Sequence, residues 1–374
     1  MTRSVSIGSA TRGGERVEPL PPGHDGRGEV HMTKANLDWA NLPFGYYKTD
    51  YNIRYGWKDG VWDAGTLTSD EAITLHMAAT CLHYGQECFE GLKAFETKQG
   101  DVVVFRIAEN AKRMARSCQK VRMQAPPEEL FIEAVDRVID ANRRFVPPYG
   151  TGATLYIRPL VLGTGPQIGV RPATEYVLLV LVSPVGPYFK TGFKPVSLLI
   201  EEEVDRAAPL GVGDVKVGGN YAAGLRATLD AKAKGFADAL FLDAVEHKFI
   251  DECAPANFFG ITKEGQYITP DSPSILPSIT NMSLITLAEE MGLRPERRPI
   301  PVEEIFDLAE AGCCGTAAVI TPVGSIQYRD RTAVYSKDGK PGRISTELYN
   351  KLTAIQVGDA PDEHGWVHRV PEAR

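Results

Sequence analysis

The stretch Pro209-Leu-Gly-Val-Gly-Asp-Val-Lys-Val-Gly-Gly-Asn-Tyr-Ala222 places one lysine, Lys216, among glycines just before a predicted helix. Glycines let the backbone approach a ligand closely and adopt positive φ. A solvated lysine in a surface turn is the ordinary alternative. A phosphate-binding P-loop is excluded because Val217 stands where Ser or Thr must hold Mg²⁺. A dinucleotide fingerprint is excluded because neither Gly211-Val-Gly213 nor Gly163-Thr-Gly165 has a third glycine at the required spacing.

The segments on either side of this loop alternate between strand and helix patterns, which predicts an α+β protein. After the loop, Asn220 is expected to cap a helix that runs to Lys234 and stops at Gly235. Strands are predicted at Val102 to Phe105, Ala153 to Leu162, Tyr176 to Val182, Val196 to Ile200 and Ala239 to Asp243, with a hairpin from Phe258 to Thr269. Helices are predicted at Ile107 to Lys120, Glu128 to Arg144, Ser278 or Thr280 to Met291, Val302 to Ala311, and Ser345 to Val357.

A Pro- and Gly-rich segment predicts where the chain divides into domains. Its 374 residues are enough for two domains. Residues 184–195 contain three prolines and two glycines, the composition of an interdomain loop. We therefore expect a smaller domain over residues 36–183 and a larger one over 196–374. Residues 1–35 are rich in Gly, Arg, Ser and Pro without apolar periodicity, which indicates a disordered leader.

Composition excludes several classes of function. Hydrophobic residues make up 43% and charged residues 24%, as in soluble globular proteins, and no apolar run is long enough to cross a bilayer. A formal net charge of −7 gives no basic field for a nucleic acid. Six cysteines without a C-x-x-C pair, and the lack of an H-E-x-x-H motif, predict no metal site and favour a reducing cytoplasm.

The lysine segment Gly213-Asp-Val-Lys-Val-Gly-Gly-Asn-Tyr221 resembles that of the branched-chain aminotransferases, which belong to fold type IV of the pyridoxal-phosphate enzymes. Further motifs match in the family's order over roughly residues 36 to 366. They are Leu82-His-Tyr-Gly85, Phe89-Glu-Gly-Leu-Lys-Ala-Phe95, Tyr156-Ile-Arg-Pro-Leu160, Ile250-Asp-Glu252, Asn257-Phe258, Leu276-Pro-Ser-Ile-Thr280, Gly315-Thr-Ala317 and Gln356-Val-Gly-Asp-Ala-Pro-Asp-Glu-His-Gly-Trp366. The resemblance implies a two-domain α+β fold, with a smaller domain and a larger one whose β-barrel-like sheet carries Lys216 and Glu252.

The resemblance implies pyridoxal 5'-phosphate as the cofactor, and the chemistry asks for matching residue types. Transamination needs an amine that binds the cofactor covalently, leaves when the substrate amine arrives, and then moves a proton, and Lys216 is the candidate. The pyridine nitrogen must stay protonated, which calls for a carboxylate, by resemblance Glu252. A solvated position is expected for the neighbouring Asp251. By resemblance, Tyr221 hydrogen-bonds the phenolic oxygen of the cofactor, and Asn257 belongs to the cofactor site.

The cofactor phosphate needs positive charge and backbone donors. A helix N-terminus supplies both, and Ile279 and Thr280 begin a predicted helix. The resemblance adds the Arg113 guanidinium and the Thr316 hydroxyl. Arg106 is the competing arginine, interpreted here as a structural ion-pair residue.

The family's substrate pocket accommodates both a branched aliphatic side chain and the charged side chain of glutamate. Resemblance assigns aromatic walls to Phe44, Tyr84 and Tyr156, carboxylate recognition to Arg158, and α-carboxylate binding to the N–H groups around Thr316 and Ala317. For Lys93 a place in the pocket and a solvated position are equally open. Cys313 and Cys314 are interpreted as small buried residues.

The resemblance implies transfer of the amino group of L-leucine, L-isoleucine or L-valine to 2-oxoglutarate, giving the branched 2-oxo acid and L-glutamate. It also implies a homodimer in which the partner's loop closes each pocket. D-amino-acid aminotransferases and aminodeoxychorismate lyases share the fold, but they lack this combination of Tyr156-Ile-Arg158 with the Gly-Gly-Asn-Tyr segment. A catalytically silent relative would have lost the lysine, the pyridine carboxylate or the phosphate arginine, and all three residues are present.

Overall fold

The fold is that of a computed structural model, which describes residues 33–187 and 192–372. Residues 1–32 of the predicted leader and residues 188–191 of the predicted interdomain loop lie outside the described residues. The compact unit described below begins at Lys34. Two sheets organise it, and none of its described helices is both long and apolar enough to cross a membrane.

The first sheet contains nine antiparallel strands of the described residues. They are β1 Asn52–Lys58, β2 Val61–Trp62, β3 Thr66–Thr68, β4 Glu87–Phe89, β5 Leu92–Glu96, β6 Val102–Phe105, β7 Thr154–Gly163, β8 Glu175–Val185 and, near the end of the chain, β18 Val367–Arg369. Their order is β18-β6-β5-β7-β8-β1-β2, with β3 beside β1 and β4 beside β7. The three strands predicted in this region are confirmed to within a few residues.

In the described part of the chain, three helices accompany this sheet: α1 Thr80–Tyr84, α2 Ile107–Lys120 and α3 Glu128–Asp140. Helix α2 has the predicted bounds, whereas α3 ends four residues before Arg144. The Asn142 side chain explains that end, because it donates to the Val138 carbonyl and accepts from the backbone N–H of Asp50 and Tyr51. A short 3-10 turn, Arg143–Phe145, follows.

The second sheet curls into a barrel. Its strands are β9 Val196–Glu201, β10 Asp238–Leu242, β11 Ile250–Cys253, β12 Asn257–Ile261, β13 Gln266–Pro270, β14 Arg294–Arg298, β15 Glu310–Gly315, β16 Val319–Tyr328 and β17 Arg331–Val334. The order β11-β10-β9-β16-β15-β12 closes on itself because β11 also pairs with β12. Fully buried apolar side chains such as Leu240, Phe258 and Ile326 form the core of this sheet.

The helices of this half are α4 Gly218–Ala233, α5 Ile279–Glu290 and α6 Arg343–Gln356. The Ser278 side chain caps α5 by accepting from the N–H of Asn281 at 3.1 Å, which confirms the predicted start. The predicted cap at Asn220 is wrong. Helix α4 begins two residues earlier, and its Gly218 N–H donates to the carboxylate of Glu87 from the first sheet.

The predicted helix from Val302 to Ala311 is also wrong. A 3-10 turn, Val302–Phe306, occupies its first half, and the chain then enters β15. Strand β15 pairs with β12 on one side and β16 on the other. A central, buried strand lacks the alternation of polar and apolar residues that would have indicated it.

Candidate active site

Lys216 lies in the loop directly before α4, as its sequence context predicts, and not on the barrel sheet. Its backbone is fixed from both sides, since its N–H donates to the Ser117 hydroxyl at 3.0 Å and its carbonyl accepts from Phe89 N–H at 3.1 Å. The Nζ atom donates to the Tyr221 hydroxyl at 2.6 Å and lies 4.7 Å from the centre of the Phe89 ring. Part of the residue is accessible to solvent, but its amine is enclosed by these rings.

Burial, reinforced by the nearby positive charge of Arg113, lowers the pKa of Lys216 to about 8. A pKa of about 8 leaves roughly a tenth of the side chain as the neutral amine at pH 7, far more than an exposed lysine has. The neutral form is the nucleophile in reactions of lysine with carbonyl groups.

Glu252 lies on β11 and is buried, as a carboxylate facing a cofactor should be. It accepts from the Asn257 amide at 2.8 Å and from the Leu276 N–H at 3.2 Å, and it forms an ion pair with Arg206 at 2.9 Å. Burial raises the pKa of Glu252 to about 7, although the Arg206 charge acts in the opposite direction. The solvated position expected for Asp251 is wrong, because this residue is also buried.

Sequence reasoning missed Arg206. Its guanidinium is buried, and besides Glu252 it donates to the carbonyls of Gly213 (3.0 Å) and Ser274. One side chain therefore joins the glycine loop that carries Lys216 to the loop that leads into α5. The available signal was weak: an arginine ten residues before the lysine carries no motif of its own.

Arg113, the residue predicted to bind the phosphate, is on α2, and its guanidinium reaches the start of α5. Its Nη1 donates to the Pro277 carbonyl at 3.1 Å, one residue before the Ser278 cap. Ile279 and Thr280 begin this helix, and the N–H groups of a first turn have no partner within their own helix. The guanidinium and the helix terminus together form an anion-binding corner.

A buried carboxylate that sequence reasoning did not single out holds Arg113 in place. Glu90 is fully buried and accepts from Arg113 Nε at 2.7 Å and Nη2 at 2.8 Å, a bidentate arrangement. The Asn110 amide also donates to Glu90, at 2.7 Å. Burial opposes its ionisation, but the Arg113 charge outweighs burial and keeps the pKa of Glu90 below its ordinary value. Its place inside the Phe89-Glu-Gly-Leu motif was the available signal.

Tyr156 and Arg158 on β7, with Phe44 from the segment before β1, are linked to the lysine by a series of aromatic contacts. The rings of Phe44 and Tyr156 meet edge to face at 5.3 Å. Arg158 donates to the Tyr156 hydroxyl at 3.0 Å, and its guanidinium lies 4.8 Å from the centre of the Phe89 ring. Phe89 packs against Tyr221 at 4.9 Å. The structure therefore brings Phe44, Tyr156 and Arg158 to the same cluster as the lysine.

Thr316 and Ala317 lie in the turn between β15 and β16. The Lys93 amine donates to the Ala317 carbonyl at 2.7 Å, and Lys93 is buried, so the solvated alternative for it is wrong. Val319, at the end of the turn, has φ of +62°. A β-branched residue in this conformation is strained, at a cost of roughly 1–3 kcal/mol, and such strain is concentrated at functional sites.

Comparisons with known proteins identify this arrangement. Residues 87–326 match the family model of the class IV amino-transferases. The chain is 48% identical over 341 residues to the branched-chain-amino-acid aminotransferase of Haemophilus influenzae, covering 90% of this chain and 99% of that protein. The chain belongs to the class IV amino-transferases, among the branched-chain-amino-acid aminotransferases. It is also 47% identical over 337 residues to the branched-chain-amino-acid aminotransferase of Helicobacter pylori, and this alignment covers 90% of this chain and 98% of the Helicobacter pylori protein.

Solved structures of branched-chain aminotransferases have the same fold. The Escherichia coli enzyme matches with a TM-score of 0.74 and 26% identity, covering 87% of this chain and 100% of that one. The Thermobaculum terrenum enzyme in its PLP (holo) form matches with a TM-score of 0.71 and 25% identity, covering 87% of this chain and 99% of that one. The predicted fold class is confirmed, whereas the domain boundary at residues 184–195 stays a prediction.

Two residues of this aminotransferase lie apart from the cluster: Tyr84, predicted as a wall of the substrate pocket, and Arg106, predicted as a structural ion-pair residue. Tyr84 ends α1, is exposed, and donates to the Ile168 carbonyl. Arg106 has no ion-pair partner within 4.0 Å among the described residues, so its interpretation as an ion-pair residue is wrong. It donates to the Ser283 hydroxyl at 2.9 Å and lies over the Trp366 ring.

The vicinal cysteines of the aminotransferase lie on β15, two residues before the turn. Cys313 and Cys314 are both buried, which confirms their interpretation as small buried residues.

Proposed function

We propose that this aminotransferase binds pyridoxal 5'-phosphate and transfers the amino group of L-leucine, L-isoleucine or L-valine to 2-oxoglutarate. The products are the branched 2-oxo acid and L-glutamate. The observation that carries the proposal is one buried cluster that contains a reactive amine, Lys216, a carboxylate, Glu252, and an arginine, Arg113, at a helix N-terminus. Burial is the main cause of the shifted pKa of both Lys216 and Glu252. In addition, the Arg113 charge lowers the pKa of Lys216, and the Lys216 charge acts to lower the pKa of Glu252.

The residues present fit the cofactor at its aldehyde, its pyridine nitrogen and its phosphate. Lys216 supplies the amine for the aldehyde, and Glu252 supplies an anion for the pyridine nitrogen. Arg113, with the free N–H groups of Ile279 and Thr280, supplies the phosphate site. When bound, the cofactor provides an electron sink for the bond that breaks at the substrate Cα.

Glu252 holds a proton on the pyridine nitrogen, and its neighbours keep its carboxylate available for this. Arg206 and the Asn257 amide both approach its oxygens, at 2.9 Å and 2.8 Å. Without them a carboxyl buried this deeply would keep its own proton.

Lys216 performs two tasks in this proposal. With the cofactor bound, the Lys216 amine would hold it until a substrate amine takes its place, and the released Lys216 amine would then remove the proton from Cα. A pKa of about 8 suits both tasks, because the amine alternates between its neutral and protonated forms near neutral pH. The Tyr221 hydroxyl, 2.6 Å from Nζ, orients the amine and would hydrogen-bond the phenolic oxygen of the cofactor.

In this proposal the substrate lies between the aromatic residues Phe44 and Tyr156 and the turn at Thr316. Phe44 and Tyr156 form apolar walls for a branched side chain, and Arg158, beside the Tyr156 hydroxyl, meets the distal carboxylate of glutamate. The N–H groups of Thr316 and Ala317 bind the α-carboxylate, and the Thr316 hydroxyl adds a donor to the phosphate.

The proposal includes a homodimer, in which Tyr84, apart from the cluster of its own subunit, lines the partner's pocket. Apolar side chains near it are exposed to an unusual degree: Met77 by 83%, Leu82 by 60%, Ile168 by 75% and Val170 by 85%. A surface of this kind is usually buried by a partner subunit. A cytoplasmic location stays our expectation.

The absorption spectrum of the purified protein tests this function. With added pyridoxal phosphate we expect a near-visible band that L-leucine removes and 2-oxoglutarate restores, and that D-alanine leaves in place. Lys216→Ala should abolish this cycle, whereas Lys232→Ala, an exposed position on α4, should preserve it. A wild-type protein that forms no band would contradict the proposal, and a response to D-alanine alone would favour a D-amino-acid aminotransferase.

A further inference from the structure

Lys93 faces the same side of the first sheet as the proposed substrate residues. Strands β5 and β7 pair antiparallel, with Lys93 directly opposite Tyr156. Opposed residues extend their side chains to one face of a sheet, and residues two apart on a strand share that face. Lys93, Tyr156 and Arg158 therefore lie on the same face, although the proposed function gives Lys93 no role.

The Lys93 amine holds the turn at Ala317 from behind. The 2.7 Å hydrogen bond joins β5 of the first sheet to the β15–β16 turn of the second, across 224 residues of sequence. This bond fixes the peptide plane that follows Ala317, because a peptide is planar, and so it anchors the end of the turn that carries the Thr316 and Ala317 N–H groups. Val319 leaves the turn in the left-handed region, and a strained backbone persists only where contacts hold it.

The surroundings of Lys93 leave its charge directed at the turn. Lys93 is 8% exposed and lines a cavity of about 340 Å³ that extends along the turn. Among the described residues that line this cavity, the two carboxylates have other partners: Glu96 pairs with Lys34, and Asp359 accepts from the Tyr149 hydroxyl at 2.8 Å. A buried ammonium attracts an anion more strongly than an exposed one does, because the dielectric constant around it is lower.

We propose that Lys93 is a positioning residue for the substrate α-carboxylate: it holds the Thr316–Ala317 turn in place and adds positive charge behind it. This inference rests on the proposed function, in which that turn binds the α-carboxylate. The role concerns recognition of an acid group and not proton transfer at Cα. Loss of Lys93 therefore affects KM far more than kcat.

Two inhibitors that differ only in the acid group test this role. 4-Methylvaleric acid is leucine without its amino group, and 4-methylpentan-1-ol replaces the carboxylate with an alcohol. In Lys93→Met we expect KM for L-leucine and Ki for the acid to rise at least about tenfold, with Ki for the alcohol unchanged. The dissociation constant of pyridoxal phosphate and kcat should stay within about threefold. Lys93→Arg should restore most acid binding, and Lys98→Met, exposed on the adjoining loop, should match wild type.

Three results would overturn the inference. If Ki for the acid is unchanged in Lys93→Met, Lys93 has no role in binding the carboxylate. If Ki for the alcohol rises as much as Ki for the acid, the effect of Lys93 is only structural, and if Lys93→Arg binds the acid as weakly as Lys93→Met does, the charge of Lys93 contributes nothing. Lys93→Gln keeps a donor for Ala317 without a charge, so it carries the comparison with Lys93→Arg if Lys93→Met does not fold. A wild-type protein that binds pyridoxal phosphate but accepts no amino group from L-leucine contradicts the proposed function itself, which is a different outcome.

Discussion

Replacing Arg206 with methionine perturbs the ion pair that supports Glu252. The two groups are 2.9 Å apart and both are buried. Removing one partner of a buried ion pair destabilises a protein by about 3–5 kcal/mol, because the remaining charge is left without compensation. Methionine keeps much of the side-chain length, so the loss of charge and of hydrogen bonds dominates.

The expected loss depends on pH, because Glu252 is able to take up a proton. Burial raises the pKa of Glu252 in the folded protein to about 7, from 4.5. A group with a raised folded pKa contributes stability that is complete below the unfolded pKa and is lost as the pH rises through the folded one. Without Arg206 the folded pKa is higher still, so the stability continues to fall at a pH where the wild-type curve has levelled. The variant therefore loses more at about pH 8.5 than at about pH 5.5.

Urea unfolding of the cofactor-free protein at these two pH values measures the effect. We expect Arg206→Met to lose about 3–5 kcal/mol at the higher pH and clearly less at the lower one. Arg226→Met is the control, because Arg226 is exposed on α4 and lies 3.7 Å from Asp230, so it should lose under about 0.5 kcal/mol. A loss below about 1 kcal/mol at the higher pH, or equal losses at both, would refute the reasoning.

Two other perturbations follow from the geometry of the cluster. A methyl group on Gly91 would overlap the Tyr156 hydroxyl, so Gly91→Ala should displace that ring and raise KM for L-leucine about tenfold. Gly224→Ala, whose nearest neighbouring atom is at 3.5 Å, should leave KM unchanged in the same steady-state assay, and equal effects would contradict the prediction. The rate at which cofactor-free protein captures pyridoxal phosphate should rise with pH through about 8, because Lys216 reacts as the neutral amine. Stopped-flow absorbance measures this rate, and a flat profile would count against a depressed lysine pKa.

Local sequence patterns predicted those helices and strands whose own residues carry the pattern. Helix α2 and strand β6 have their predicted bounds, and Ser278 caps α5 as expected. The motifs around Lys216, Glu252 and Tyr156 indicated site residues by resemblance to a family. Contacts through Phe89 and Tyr221 link Tyr156 and Arg158 to Lys216, and the roles of these residues stay predictions. In each case the informative residues lie within a few positions of one another, so pattern and structure coincide.

Pairs that depend on tertiary packing were beyond this kind of reasoning. Glu90 and Arg113 are 23 residues apart, and Lys93 and Ala317 are 224 apart. A sequence shows that a charged residue exists but not which partner the fold brings to it. The Asn220 cap failed for the same reason, because Glu87 of another sheet satisfies the start of α4.

The buried arginines and the buried lysines of the cluster have different partners, and this difference explains how the cluster stays both stable and reactive. Arg113 has Glu90 as its partner and Arg206 has Glu252, so each buried guanidinium is compensated by a carboxylate. Lys216 and Lys93 instead donate to neutral acceptors, a phenol and a backbone carbonyl. Burial is the leading cause that lowers the pKa of each lysine to about 8. Arginine keeps its charge under all these conditions, whereas lysine loses its proton readily when it is buried without an anion. The fixed charge of Arg113 therefore lies where an anion must be held, and the titratable amine of Lys216 lies where a proton must move. Lys93 stays mostly protonated below pH 8 and adds positive charge behind the Thr316–Ala317 turn.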